Sequence, residues 1–313
     1  MSACTYAHGT EGGGPAWAMF LALALLLAGC ENEPQGAGPQ YAAAPPSQEV
    51  PIFTFAVNPK HNPALLISTH QPLVDYLNAR LHGGRLGLEA STDFAAFEAK
   101  FRARNPAFLL PNPWQALQAM RVGYSVVAMA GDPADFRGLI LVRRDSGVEQ
   151  PADLKGQAVS YPSPTALAAC IMPQAFLHAH GLDINRDLTN RYVGSQESAI
   201  MNVYLKNTRA GGTWQPPWRA FQKSYPAEAA ELRIAWETEP LINNAVMVRD
   251  DVPAALRQQV VEQLVALEVS AEGKAILDGL ETARFTPATD QDYAVVRAFI
   301  ERFERDVRPV EAR

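Results

Sequence analysis

Residues 53–81 read FTFAVNPKHNPALLISTHQPLVDYLNARL. The stretch opens on FTFAV, residues 53–57, the composition of a strand buried in a sheet. Over residues 71–81 the period changes: Leu73, Leu77 and Leu81 recur every four residues and share one face of a helix. A strand followed by a helix is the first half of a βα unit, and the pattern repeats outward from here. Residues 86–90 read as a short strand, and 93–104 as a helix showing Phe94, Phe97 and Phe101 at spacings of three and four. Residues 107–110 (AFLL) form a third strand, ending abruptly in Pro111-Asn112-Pro113-Trp114 with a helix to Val122. Residues 125–130 and 138–143 are two more strands.

A second series starts after Arg144. Residues 151–156 make a helical turn and 157–161 a strand. Residues 164–181 make a long helix interrupted at Pro173. A strand at 191–193, a helix at 197–207 and a strand at 210–214 follow, the last running into Pro216-Pro217-Trp218. Strands at 232–236 and 244–249 and helices across 253–280 and 290–307 complete the chain. Alternating strands and helices predict an α/β fold. The layout predicts two lobes, residues 52–143 with 244–313 as lobe 1 and 144–243 as lobe 2. The chain would cross near 143–145 and again near 237–243. Ligands of open α/β sheets bind beyond the carboxyl ends of strands, so the residues following strands are the candidates.

The ends and the composition bound the setting. Residues 16–28 (AWAMFLALALLLA) are an unbroken apolar run, shorter than the roughly 20 residues that span a bilayer. The run has the length of a signal-peptide core, although no Lys or Arg precedes it. It ends in Leu27-Ala28-Gly29-Cys30, which resembles a lipobox. The resemblance implies a signal peptide over 1–29, cleavage before Cys30 and a lipid on its thiol, which would hold the exported chain to a membrane surface on the periplasmic side. Residues 30–51, rich in Pro, Gly, Ala and Gln, read as a flexible tether. Glu11 is the one charged residue of the signal segment, so its removal takes the net charge from -6 to -5. A mildly acidic body argues against nucleic acid as a partner. With Cys4 cut off and Cys30 lipidated, Cys170 is the cysteine left to the body, and no internal disulfide can form.

The spaced motifs resemble the substrate-binding proteins of phosphonate, phosphite and phosphate ABC transporters, of the type II periplasmic binding protein fold. Residues 55–59 (FAVNP) and 71–81 match its first strand and helix. Pro111-Asn112-Pro113-Trp114 is similar to its Gly-Pro-x-x-Tyr turn, and residues 137–148 (RGLILVRRDSGV) to its crossing strand. Asp153-Leu154-Lys155-Gly156 with Val159-Ser160 resembles the opening of the second lobe. Gly194-Ser195-Gln196-Glu197-Ser198-Ala199 resembles a Gly-Ser-His-Asp/Glu-x-Ala motif, and residues 248–253 (VRDDVP) the return crossing. The resemblance implies a two-lobed, Venus-flytrap protein with mixed sheets flanked by helices and two crossover strands. It would close on a small oxyanion and hand it to an ABC permease, as a monomer without cofactor or metal. The alternative is a sensor presenting an oxyanion or arsenite to a receptor kinase.

The resemblance also implies the ligand set. Ser163 and Thr165 stand at the family's Ser-Thr-Ser turn, where hydroxyls and helix-start N–H groups would meet an oxyanion; the same residues suit a plain helix cap. Ser195, Gln196 and Glu197 open the next helix. Gln196 stands where the family often has His and donates without becoming charged. Glu197 reads equally as a cap or as an acceptor for a protonated ligand. From lobe 1 come Asn112 and Trp114, the latter replacing Tyr, with Asn58 and His61 after the first strand. Trp214 would floor the pocket. Asn244 stands where the family tends to have Asp, and an amide can donate where a carboxylate only accepts. Arg209 reads as a solvated turn charge. Cys170 reads as a small buried hydrophobe rather than a metalloid ligand. His178 and His180 fall on different helix faces and do not read as a metal pair. There is no Gly-x-Ser-x-Gly elbow, no phosphate-binding Gly-x4-Gly-Lys-Ser/Thr loop and no His-Glu-x-x-His pair, so no enzyme is indicated.

Overall fold

A computed structural model describes residues 50–311. The expected signal segment, Cys30 and all but the last two positions of the tether lie outside the described residues.

The first series of elements builds one sheet. It comprises β1 (Ile52–Val57), α1 (Pro63–Asn78), β2 (Arg85–Glu89), α2 (Phe94–Arg102), β3 (Phe108–Leu110), α3 (Pro113–Met120) and β4 (Tyr124–Ala130). The helices start where short polar side chains satisfy the free N–H groups of a first turn. Asn62 accepts from Leu65 N at 3.0 Å, and Asp93 from Ala96 N at 2.8 Å. Asn112 and Gln115 cap each other reciprocally at the start of α3. On α2 the expected face is fully used: Phe94, Phe97 and Phe101 are buried, the last two in edge contact at 5.7 Å. Burying each such ring contributes roughly 1.5–3 kcal/mol.

The second series builds another sheet. It comprises β5 (Gly138–Arg143), β6 (Gln157–Tyr161), α4 (Met172–Ala179), β7 (Leu188–Tyr192), α5 (Gln196–Tyr204), β8 (Ala210–Trp214), α6 (Gln215–Ser224), α7 (Pro226–Ala230) and β9 (Leu232–Glu237). The chain then returns through β10 (Ala245–Arg249), α8 (Ala254–Val265), α9 (Ala271–Leu280), β11 (Phe285–Pro287) and α10 (Ala294–Asp306). The strand orders are β11-β4-β10-β3-β1-β2 and β7-β6-β8-β5-β9. Both sheets are mixed. β1 is parallel to β2 and β3 while β10 is antiparallel to β3 and β4; β6 is parallel to β7 and β8 while β5 is antiparallel to β8 and β9.

β5 belongs to the second sheet, so the first crossing lies at 131–137, before β5, and not at 143–145. Sequence order suggested otherwise because consecutive strands usually neighbour each other, and an apolar run does not say which sheet it joins. The return crossing runs beside the first. Thr238 N donates to Gly138 O and Gly138 N to Thr238 Oγ1, each at 2.9 Å; Leu241 N donates to Phe136 O at 3.0 Å and Asn243 Nδ2 to Asp132 O at 2.9 Å. The paired connectors are anchored by Tyr293, wholly buried, whose hydroxyl donates to Asn243 O at 2.7 Å.

Three elements were not foreseen. α6 starts with Pro216 and Pro217 in its first turn, where a missing N–H costs no helical bond; Trp218 and Phe221 are its buried face. The five-residue α7 and three-residue β11 are too short to show a period. The residues after α10 are also not confined to lobe 1. Arg308 Nε donates to Gln174 Oε1 at 2.8 Å and Nη2 to Pro164 O at 3.1 Å, and Asn185 Nδ2 donates to Val307 O at 3.1 Å. Glu311 meanwhile pairs with Arg102 of α2. The C-terminal segment therefore straps one lobe to the other. Tyr293→Phe leaves the Asn243 carbonyl without its donor. It should lower unfolding free energy by about 1–3 kcal/mol, read as a lower urea midpoint at unchanged m-value.

Candidate functional site

The carboxyl ends of β1, β3, β6 and β8 face a cleft between the sheets. Its inner chamber is lined by Asn58, Lys60, Asn112 and Asn244 from lobe 1 and by Gln196 and Trp214 from lobe 2, with Phe94, Phe136 and residues 166–169 closing the walls. Its volume is about 20 Å³, room for about one water molecule. A ligand can enter only when the lobes part. An outer chamber of about 80 Å³ adjoins it, sharing Lys60 and Gln196 and adding His61, Ser195, Glu197 and Tyr225.

The wall at 166–169 has a specific origin. The expected long helix at 164–181 begins only at Leu167, as one π-helical turn, Leu167–Ile171, leading into α4. Ala166 O accepts from both Cys170 N at 2.8 Å and Ile171 N at 3.2 Å. Pro173 explains the wide turn. It has no N–H for Ala169 O, and its ring would collide with that carbonyl in a regular helix. The carbonyl swings toward β8, where a Cβ on Gly212 would sit 2.1 Å from Ala169 O; on β5, a Cβ at Gly138 would sit 2.6 Å from Ala168 O. Two bare glycines thus let the turn lie directly on the sheet. The amides of Leu167, Ala168 and Ala169 begin the helix with no backbone acceptor among the described residues, leaving donors and the positive end of the helix dipole at the chamber wall.

Of the side chains expected to bind ligand, Asn112, Gln196, Trp214 and Asn244 meet at the inner chamber. Trp214 packs against Phe136 with ring centroids 5.3 Å apart. Both Asn243 and Asn244 are buried, and Asn244 Oδ1 has no hydrogen-bond partner among the described residues. Ser195 and Glu197 line the outer chamber. Ser195 caps α5, accepting from Ser198 N at 3.0 Å, and Glu197 accepts from Tyr225 Oη at 2.9 Å. Trp114 is not in either chamber. It is buried in the core and borders a separate groove with Leu117, Ile300 and Glu304.

Ser163 and Thr165 face another protein group. Their hydroxyls lie 2.9 Å apart, and Thr165 Oγ1 donates to Glu98 Oε1 of α2 at 2.6 Å. Gln115 Nε2 donates to the same oxygen at 3.1 Å, and Asn112 Nδ2 to Thr165 O at 3.1 Å. The two bonds of Thr165, to Glu98 and from Asn112, join the two lobes. Burial pushes the Glu98 carboxyl up from its ordinary range, against the pull of Thr165, Gln115 and Arg102. A second junction lies beyond the outer chamber, where Glu281 after α9 pairs with Arg219 at 3.0 Å and Lys223 at 2.7 Å, both on α6.

Two bases flank the chambers, Lys60 buried and His61 half-buried. Lys60 is 7% exposed and donates to Leu280 O at 3.1 Å; burial lowers its pKa to about 8, with Glu281 opposing and Arg219 assisting. Burial, then the charge of Lys60, holds His61 down to about 3. Lys60 was missed in the sequence, where its signal was its place three residues after β1. Cys170 belongs to the π-helical turn but lines neither chamber, and burial pushes its thiol up to about 12.

Two lobes, two paired connectors and a cleft lined from both sides define a two-lobed binding protein. The family model described as "ABC transporter, phosphonate, periplasmic substrate-binding protein" matches residues 55–293. The chain belongs to this family, which is one of binding proteins and not of enzymes. Solved structures agree on the fold. A binding protein component of an ABC phosphonate transporter from Pseudomonas aeruginosa superposes with a TM-score of 0.74 at 15% identity, covering 82% of this chain and 88% of that one. PhnD1 from Prochlorococcus marinus, in complex with methylphosphonate, gives 0.74 at 17% identity, covering 81% and 98%. The periplasmic aliphatic sulphonate binding protein SsuA from Escherichia coli gives 0.58 at 13% identity, covering 81% and 87%.

Thr165→Val keeps the shape but removes the donor to Glu98, leaving a buried carboxylate short of a hydrogen bond worth about 1–3 kcal/mol. The lobes should part more readily. Small-angle scattering should show a larger radius of gyration without ligand, and calorimetry a weaker affinity for any ligand that binds the closed form.

Proposed function

We propose that this protein captures a small phosphonate-type oxyanion between its lobes and delivers it to an ABC permease, while a lipid on Cys30 keeps it at the membrane surface. The observation that carries the ligand class is the inner chamber. The side chains of Asn112 and Asn244 line it opposite Gln196 of the other lobe, and its wall carries the N–H groups at the start of the π-helical turn, which have no backbone acceptor among the described residues. An oxyanion would complete hydrogen bonds that closure otherwise strands. The ligand therefore favours the closed form by as much as it binds that form better than the open one. Ser163 and Thr165 would act through Glu98, by holding the lobes shut, while Ser195 and Glu197 would bound the outer side and Trp214 the floor. Trp114 would support the Asn112 turn from within the core.

By linkage, a ligand at 100 times its Kd raises stability by about 2.7 kcal/mol. A thermal-shift series with methylphosphonate, phosphite, phosphate and methanesulfonate should raise the melting temperature of the mature chain carrying Cys30→Ser. No shift from any of the four at millimolar concentration would exclude the oxyanion reading. The anchor has its own test. Full-length protein should incorporate radiolabelled palmitate and sediment with membranes, and Cys30→Ser should abolish both.

A further inference from the structure

The inner chamber contains no acid. Its polar side chains are Asn58, Lys60, Asn112, Gln196, Trp214 and Asn244. Lys60 carries three ammonium hydrogens, and its one hydrogen bond among the described residues goes to Leu280 O. No carboxylate pairs with it among the described residues. Glu281, the carboxylate that acts on it, is engaged by Arg219 and Lys223 instead. A buried ammonium without a counter-ion is costly, and a bound anion would supply one. Asn244 adds a buried amide with an unpartnered oxygen. Rotation of that amide presents either a donor or an acceptor to the ligand, whereas only a carboxylate would demand a proton from it.

We propose that Lys60 is a specificity-determining residue, and that with the acid-free chamber it makes this protein select an alkylphosphonate as the fully deprotonated dianion. The proposal rests on the phosphonate reading above and deepens it. A monoanion carries one charge fewer toward Lys60, and its P–OH could be met only with the Asn244 oxygen turned to it. A sulfonate has no acidic proton but carries one charge fewer toward Lys60.

The groups around Lys60 are His61 beside it, His70 on α1, Glu281 after α9, Arg219 on α6, and Glu197 on α5 across the outer chamber, with Lys223 reaching only as far as Glu281. Burial holds His61 down to about 3 and His70 well below its ordinary value, and lowers Lys60 to about 8. Between about pH 6 and 7.5 both histidines thus stay neutral and Lys60 stays largely charged, so the phosphonate itself is the group that titrates. Calorimetry on the mature Cys30→Ser chain should show methylphosphonate binding tighten severalfold across that interval, with methanesulfonate flat. Lys60→Met should weaken methylphosphonate binding at the upper pH by about tenfold or more, equivalent to about 1.4 kcal/mol, and remove the preference over methanesulfonate. Asn244→Asp, of the same shape, should shift tightest binding toward the lower pH whether or not Lys60→Met folds. Affinity that is flat or falls with rising pH, or unchanged in Lys60→Met, would overturn the proposal while leaving phosphonate binding intact. Absence of methylphosphonate binding at every pH would overturn both.

Discussion

Glu98 and Thr165 meet at 2.6 Å across the boundary between the two sheets, and much of the cleft depends on that contact. Thr165 is engaged on both sides. Its hydroxyl serves Glu98, and its carbonyl accepts from Asn112. Asn112 in turn caps α3 and reaches the inner chamber. One short network thereby couples a helix start in lobe 1, the turn before α4 in lobe 2, and the wall of the site. A buried carboxylate needs such donors, because leaving one short costs more than the bond itself contributes.

Closure is consequently a matter of satisfying polar groups from two surfaces at once. The Glu98 junction and the Glu281 junction hold the rims. Glu281, whose side chain is 12% exposed, is the more sheltered partner of its pair of bases. Between the rims lie groups that the protein does not satisfy internally: the amides of residues 167–169, the Asn244 oxygen and the free hydrogens of Lys60. The rims close on protein contacts and the interior is left for a ligand. The paired connectors link the lobes, and the contacts of Arg308 and Glu311 tie the segment after α10 to both.

Most of the fold was legible because its signals are local. The buried phenylalanines of α2, the Asn112-Pro113 start of α3 and the runs of β6 and β8 each show their period or cap in a few residues. The sheet that β5 joins was not legible, since membership depends on partners far along the chain. Asn112 and Gln196 were readable as candidates because each follows a strand, Trp214 because it ends one, and Asn244 through the resemblance, which has an acid at that place. Ser163 and Thr165 were readable as hydroxyls but not as partners of Glu98, a charge at the edge of the phenylalanine face of α2 whose partner Thr165 lies far along the chain. Trp114 was misleading for a related reason. A turn places it near the cleft in sequence, while the helix it begins rotates its ring into the core. The π-helical turn was invisible, because it comes from Pro173 acting with two glycines on other strands.

The proposed site holds an oxyanion between Asn112, Asn244, Gln196 and the start of the π-helical turn. A crystal structure of the mature chain grown with methylphosphonate tests it most directly. A tetrahedral group is expected in the inner chamber, within hydrogen-bond distance of those amides and of Lys60 Nζ. Methylphosphonate ordered elsewhere, with the inner chamber filled by protein side chains alone, would contradict it.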